Sequence, residues 1–205
     1  PIIGVNTMVN NDKLTAYVGS QDVSAGEDIM KYMIDYMKKD AFNIVVIEGP
    51  MGQSAQLQRM EGIENVLKDY PDIQILAKNT AKDGFFDNFD VTAYRKRYPK
   101  LSRKYGDDID AVVSENDEMA LGAREAIEAQ NMDIPCIGID GITDAVAAVE
   151  SGKMIASDFQ NAEGQITGAL ETAVKCVNNE DYEKELWIPF EMITPDNYKD
   201  YQSKY

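Results

Sequence analysis

The sequence predicts an α/β fold: a Rossmann-like parallel sheet with helices on both faces. Short apolar runs alternate with helical patterns along most of the 205 residues, and parallel strands joined by crossover helices produce this order. Residues 43–47 are dominated by one continuous apolar run, as strands buried on both faces are. Ile29, Met33 and Met37 recur at helical spacing.

In the first half of the chain, turn and cap residues set the limits of each element. We predict strands at residues 2–5, 14–18, 43–47 and 73–77, and helices at residues 24–39 and 54–69. The sequence Asn-Asn-Asp at 10–12 predicts a turn between the first two strands. Ser24 is predicted to cap the first helix, because Glu27 follows three residues later. Pro71 breaks the second helical pattern.

The second half continues the alternation after an irregular stretch at residues 79–108. We predict strands at residues 109–114, 135–139, 155–159 and 187–193, and helices at residues 117–130, 143–151 and 163–178. The last of these helices carries apolar residues on one face: Ile166, Leu170, Ala173, Val174 and Val177. Residues 197–205 form a polar tail.

The charge of the chain excludes one class of partner. The formal net charge is −16 and the isoelectric point is about 4.3. Nucleic-acid binding requires clustered Lys and Arg, so we expect no nucleic-acid partner. The same acidity weakens binding to an anionic membrane surface.

The absence of histidine excludes several kinds of catalytic site. Without it there is no Ser-His-Asp triad and no HExxH zinc site. Cys136 and Cys176 have neither CxxC nor metal-ligand spacing, so we interpret both as small buried hydrophobic residues without a disulfide. The turn at 48–54 lacks GxGxxG and the Walker lysine, which argues against a nucleotide site. We therefore expect no enzyme activity, no metal and no cofactor.

Three polar side chains stand at the ends of predicted strands. Asn116, Asp140 and Gln160 each follow a short apolar run, and open parallel sheets place ligand-binding groups at that edge. Two amides and one carboxylate suit a ligand that both donates and accepts hydrogen bonds. A sugar is such a ligand.

Several motifs together resemble a known family. They are Val18-Gly19-Ser20 followed by Ala25-Gly26, Ile47-Glu48-Gly49-Pro50, Ser54 through Arg59 to Gly62, Asn116-Asp117-Glu118-Met119-Ala120-Leu121-Gly122-Ala123, and Gly138-Ile139-Asp140-Gly141. In order and spacing, they make the chain similar to the type I periplasmic binding proteins of bacterial ABC importers, in the ribose- and galactose-binding group. This resemblance implies two Rossmann-like lobes joined by three crossover strands, with a sugar clamped between them.

The resemblance also implies a division of the chain. Residues 1–20 would be the remnant of the N-terminal lobe and the first crossover, and residues 21–160 the complete C-terminal lobe. Residues 161–187 would return to the N-terminal lobe, and residues 188–205 would form the last crossover strand and tail. Family members normally have a further stretch before the point that matches Pro1, so we expect this chain to be a fragment.

By the same resemblance, Asn116, Asp140 and Gln160 correspond to sugar-binding positions. Asn116 matches the family's amide, although it could instead be the N-cap of the following helix, a role that Asp117 can also fill. Asp140 matches the sugar carboxylate, with a turn before Gly141 as the alternative. Gln160 matches the amide of the second crossover, with an exposed hinge residue as the alternative.

The resemblance implies further ligand contacts at positions that match the family's motifs less directly. Arg59 is expected to donate to sugar oxygens, or otherwise to form a surface ion pair. Asn6 matches a first-lobe contact, although Thr7 replaces its usual basic neighbour. Phe85 or Phe86 could replace the family's tryptophan, which stacks on the sugar; core packing is the alternative.

The resemblance implies the solute-binding component of a carbohydrate importer. It would bind a monosaccharide or polyol without chemical change and dock on an ABC transporter permease. The protein would be periplasmic, or extracellular and lipid-anchored. The alternative is the effector-binding domain of a LacI-type transcriptional regulator, which has the same fold. Exposed strands of the lobe remnant would also allow a dimer of the fragment.

Overall fold

The computed structural model describes residues 1–9, 11–79, 105 and 108–204, and its strands and helices alternate as expected. The strands are β1 (Ile3–Val5), β2 (Ala16–Gly19), β3 (Asn43–Ile47), β4 (Gln74–Asn79), β5 (Ala111–Ser114), β6 (Cys136–Asp140), β7 (Ala156–Gln160), β8 (Glu185–Trp187) and β9 (Phe190–Ile193). The helices are α1 (Asp22–Met37), α2 (Ser54–Leu67), α3 (Asp117–Glu128), α4 (Thr143–Glu150) and α5 (Ala162–Asn178), followed by a 3₁₀ turn at Tyr198–Asp200.

The larger sheet carries one apolar core on each face. Its strand order is β4-β3-β5-β6-β7-β9, and neighbouring strands are parallel except for β9, which runs antiparallel to β7. Buried residues of α1 and α2 pack on one face, and those of α3 and α4 pack on the other. Because both faces are covered, the predicted fold class is confirmed.

A smaller sheet has the parallel order β1-β2-β8. Helix α5 packs against β1 and β2. At Gly168 of α5, an added Cβ would lie 2.8 Å from Leu186 Cδ2, so the helix approaches this sheet closely. The chain passes between the two sheets after β2, after β7 and between β8 and β9.

The single strand predicted at 187–193 is wrong, because the structure divides this segment between the two sheets. Strand β8 pairs with β2 and β9 pairs with β7. Pro189 stands between them, and proline cannot donate a hydrogen bond to a neighbouring strand. The ring of Trp187 packs edge-on against Tyr17, with ring centroids 5.4 Å apart.

Helix α1 begins two residues earlier than predicted, and Ser24 does not cap it. The N-cap residue is Gln21, without a side-chain bond to the helix. Ser24 lies in the first turn, where its Oγ donates to the Gln21 carbonyl oxygen over 2.8 Å. The helix ends at Lys38, whose φ of 52° is left-handed.

Helix α5 turns its predicted apolar face to solvent. Ile166, Leu170, Val174 and Val177 are 54%, 64%, 59% and 68% exposed. The opposite face, with Gln165, Gly168, Ala169 and Thr172, is the buried one. The described part of the fold therefore leaves an apolar stripe of four residues uncovered.

The cysteines and the apolar helices add two observations. Both cysteines are free; Cys136 is buried as predicted, whereas Cys176 is only half-buried because it lies on the exposed helix α5. None of the described helices is long and apolar enough to cross a membrane.

Candidate functional site

Strand register brings Asn116, Asp140 and Gln160 to one edge of the larger sheet. Val113 of β5 pairs with Ile137 of β6, so the residues three places further on, Asn116 and Asp140, lie at neighbouring strand ends. Asp140 in turn pairs with Phe159 of β7, and Gln160 follows directly. The three residues meet at the carboxyl edge, where parallel α/β sheets bind ligands.

Asn116 is the N-cap of α3. Its Oδ1 accepts a hydrogen bond of 3.0 Å from the Met119 backbone N–H. The residue is only 2% exposed, and its Nδ2 has no hydrogen-bond partner among the described residues. A buried amide donor without a partner costs about 1–3 kcal/mol, so this atom is available to a ligand oxygen or a water.

Asp117 does not cap α3. Its carboxylate instead accepts from the backbone N–H groups of Gly141 (2.7 Å) and Ile142 (3.1 Å) and from Ser157 Oγ (2.7 Å). It turns away from its own helix because the loop after β6 presents these donors. Burial, together with the charge of Asp140, raises the pKa of Asp117 well above its usual value. Asp117 therefore ties the segment after β5 to the loop after β6 and to Ser157 of β7.

Asp140 combines an unusual backbone with a partly open side chain. Its φ is 121° and that of Gly141 is 71°, both in the region that side chains rarely adopt. Only Gly141 and Ile142 connect β6 to α4, and the Asp140 side chain keeps 26% of its surface exposed. Burial raises the pKa of Asp140 to about 7, although the Arg59 guanidinium opposes this rise.

Arg59 is buried and uses its guanidinium inside the protein. Nε donates to Asp22 Oδ1 over 2.8 Å, Nη1 donates to the Glu115 carbonyl oxygen, and Nη2 lies 3.6 Å from Asp140 Oδ1. Arg59 does form an ion pair, but the alternative of a surface ion pair is wrong because both Arg59 and Asp22 are buried. Arg59 thus lies directly behind Asp140.

Asn6 and Gln160 join the two sheets. Gln160 Nε2 donates to Asn6 Oδ1 over 3.3 Å. Asn6 has a left-handed φ of 62°, and its carbonyl oxygen accepts from the Tyr17 hydroxyl over 2.5 Å. Both predicted residues therefore lie at the passage from the larger sheet to the smaller one. Phe85 and Phe86 fall outside the described residues.

Sequence reasoning missed the buried acids around this edge. Glu115 Oε2 accepts from the Gly49 N–H over 2.7 Å, and burial raises the pKa of Glu115 to about 8. Burial likewise raises the pKa of Asp158 to about 8, and raises that of Glu48. The run of polar residues at 114–118 could have indicated this cluster, but the sequence does not show which of their carboxylates are buried.

A small cavity lies at this edge, and a larger one shares no lining residue with it. The small cavity, of about 40 Å³, is lined by Arg59, Glu115 and Asn116 together with the turn after β3. The larger cavity, of about 620 Å³, lies between the smaller sheet and the start of α2, and Leu14, Tyr17 and Leu57 are among its lining residues. The small cavity has room for a water molecule or one ligand substituent.

These groups define a class of protein: an α/β binding protein with hydrogen-bonding side chains at the carboxyl edge of its larger sheet. A family model described as a periplasmic binding protein domain matches residues 1–181. The chain therefore belongs to the periplasmic binding protein family.

Among curated relatives, the chain is 36% identical over 198 residues to the xylitol-binding protein of Mycolicibacterium smegmatis, covering 96% of this chain and 55% of the relative. It is 35% identical to the putative rhizopine-binding protein of Rhizobium meliloti (100% and 66%) and 30% identical to the ribose import binding protein of Bacillus subtilis (95% and 60%). The chain thus spans between about half and two thirds of these relatives.

Solved structures agree with the fold. An ABC transporter solute-binding protein from Bacillus halodurans with bound myo-inositol superposes with a TM-score of 0.90 at 34% identity. The match covers 100% of this chain and 69% of that one. The myo-inositol-binding protein of Caulobacter gives a TM-score of 0.85 at 25% identity, covering 97% and 67%.

Proposed function

We propose that this chain carries the ligand-binding edge of a solute-binding protein that serves a carbohydrate ABC importer. The observation that supports it most is the meeting of Asn116, Asp140 and Gln160 at neighbouring strand ends. Relatives named for xylitol, ribose and myo-inositol fit this chemistry, because polyols present hydroxyls that both donate and accept.

The proposed role is binding without chemical change. The carboxylate of Asp140 would accept a hydrogen bond from a ligand hydroxyl, and the amides of Asn116 and Gln160 would donate hydrogen bonds to ligand oxygens. Asn6, Phe85 and Phe86 complete the proposed set of ligand-binding residues, and Arg59 belongs to the site through its contact with Asp140. The relatives named above are binding proteins, which favours this role over an enzyme and over a LacI-type regulator.

The division of the chain belongs to the same proposal. Residues 1–20 and 161–187 would be parts of the N-terminal lobe, residues 21–160 the C-terminal lobe, and residues 188–205 the last crossover and tail. In the importer, the closed two-lobed form would dock on the permease. The protein would act in the periplasm, or outside the cell on a lipid anchor.

A second copy is a further proposed partner of the isolated chain. The exposed stripe of α5 and the outer edge of β1 are surfaces through which two copies could pair. Light scattering tests this: Leu170→Glu together with Val174→Glu should reduce the apparent mass. A monomeric parent chain would refute the dimer.

Thermal unfolding with a panel of sugars tests the function. The full product of the gene should unfold at a higher temperature in xylitol, myo-inositol or ribose; a ligand at 1,000 times its Kd adds about 4.1 kcal/mol. The 205-residue chain should respond weakly, because each net hydrogen bond contributes only about 0.5–1.5 kcal/mol.

Matched variants give this experiment its specificity. Asp140→Asn should reduce the ligand-induced shift, whereas Asp144→Asn, at an exposed position nearby, should leave it unchanged. The proposal fails if no sugar or polyol stabilises the full gene product, or if Asp140→Asn responds like the parent protein.

A further inference from the structure

Arg59 lies where two helices cross unusually closely. A Cβ added to Gly26 of α1 would lie 2.0 Å from the Arg59 carbonyl oxygen, and one added to Gly62 of α2 would lie 2.1 Å from the Val23 carbonyl oxygen. Because two glycines face each other, the backbones touch. Asp22 stands one turn before Gly26, which brings its carboxylate to Arg59 Nε.

From this crossing, the guanidinium reaches three different elements. Nε binds Asp22 at the start of α1, Nη1 binds the Glu115 carbonyl oxygen between β5 and α3, and Nη2 faces Asp140 at the end of β6. Two of the three nitrogens are thus committed to protein acceptors. The third points at the carboxylate proposed to bind ligand.

We propose that Arg59 is a positioning residue that acts on the ligand through Asp140. The ion pair behind Asp140 would hold its carboxylate charged and directed at the cleft, despite the strained backbone at this residue. The inference deepens the proposed function and rests on it.

The charges facing Asp140 come from three elements. Arg59 of α2 is the cation, whereas Asp22 at the start of α1 and Glu118 and Asp117 of α3 are acidic. Asp22 and Glu118 raise the pKa of Asp140 and Arg59 lowers it. Removing Arg59 and removing the charge of Asp22 should therefore have opposite effects.

Carbon-13 NMR of the Asp140 carboxyl, assigned with Asp140→Asn, tests this without ligand. Arg59→Met should raise the pKa of Asp140 by about 1–3 pH units, the usual effect of a lost Arg partner, and Asp22→Asn should lower it. Asp69→Asn, at an exposed position, should change nothing. If Arg59→Met does not fold, Arg59→Gln takes its place. An unchanged or lowered pKa of Asp140 after loss of the Arg59 charge would overturn the proposal.

A titration with myo-inositol as the probe adds the functional arm. In the full gene product, Arg59→Met should weaken binding about tenfold at pH 8, since a pKa raised by two units leaves Asp140 mostly protonated there. Binding should recover at higher pH. A purely structural role would weaken binding equally at every pH, which would contradict positioning. If the parent protein binds no polyol, the proposed function fails, while the NMR result still decides whether Arg59 controls Asp140.

Discussion

The two polar atoms of the Asn116 side chain have different surroundings. Oδ1 holds the first turn of α3, while Nδ2 is buried and has no partner among the described residues. Helix capping and the proposed ligand contact are therefore not alternatives at this residue, because they would use different atoms. Substitutions at Asn116 can therefore affect the stability of the fold and the affinity for a ligand separately.

Two substitutions at Asn116 make this separation measurable. Asn116→Ala removes the cap and should lower the free energy of unfolding by about 1 kcal/mol. Asn116→Ser keeps a capping hydroxyl and should stay within a few tenths of the parent, yet both variants lose the amide donor. Chemical denaturation measures the first effect and sugar titration of the full gene product the second. Full affinity in Asn116→Ser would remove Asn116 from the site.

Asp117 supports the site without facing it. Asp117→Asn leaves one acceptor oxygen where two now serve the N–H groups of Gly141 and Ile142 and the Ser157 hydroxyl. We expect a loss of about 1–3 kcal/mol for the buried donors left unpaired, measured by urea denaturation. Asp69→Asn, at an exposed position, is the control. Equal stability of the two variants would show that this carboxylate does not hold the loop.

At the scale of elements, the crossing of α1 and α2 determines where Arg59 lies. In a helix interior, Gly→Ala normally stabilises by about 1 kcal/mol. Gly26→Ala should instead destabilise by about 1–3 kcal/mol, because the added methyl meets backbone rather than a movable side chain. Thermal unfolding measures this change.

Gly49→Ala is the matched control for the crossing. A Cβ at Gly49 would meet nothing closer than 3.6 Å. The free energy of unfolding of Gly49→Ala should therefore differ little from that of the parent protein. A Gly26→Ala variant as stable as Gly49→Ala would mean that the two helices can separate without cost.

Some elements could be predicted and others could not, for physical reasons. The strand ends at Asn116, Asp140 and Gln160 were predictable because apolar runs stop there. The burial of Arg59 was not, since it depends on glycines in two separate helices. The break at Pro189 was visible in the sequence, but the reversal of direction in β9 depends on long-range pairing with β7. The carboxylate of Asp117 reaches Gly141, 24 residues away, and no local pattern encodes that bond.

At the scale of the whole molecule, buried acids link stability to pH. Burial raises the pKa of Glu115 and of Asp158 to about 8 and that of Asp140 to about 7. Between about pH 4 and pH 8, the folded chain then binds more protons than the unfolded chain. The free energy of unfolding should consequently fall as the pH rises through this range.

Denaturation at pH 5.5 and pH 8 checks the sign of this dependence. We expect greater stability at pH 5.5 and a flatter dependence in Glu115→Gln, which keeps the shape of the side chain without its charge. Glu61→Gln, at an exposed position, should retain the parent slope. Greater stability at pH 8 would mean that these acids are ionised without penalty in the folded chain.

The placement of polar groups just where strands stop has a consequence for evolution. The apolar cores lie within the strands and helices, whereas Asn116, Asp140 and Gln160 stand at the rim. Under the proposed function, replacing one rim side chain would change which hydroxyl arrangement is recognised and leave both apolar cores intact. A lineage with this scaffold would then change its ligand through single substitutions at the rim, without repacking either core.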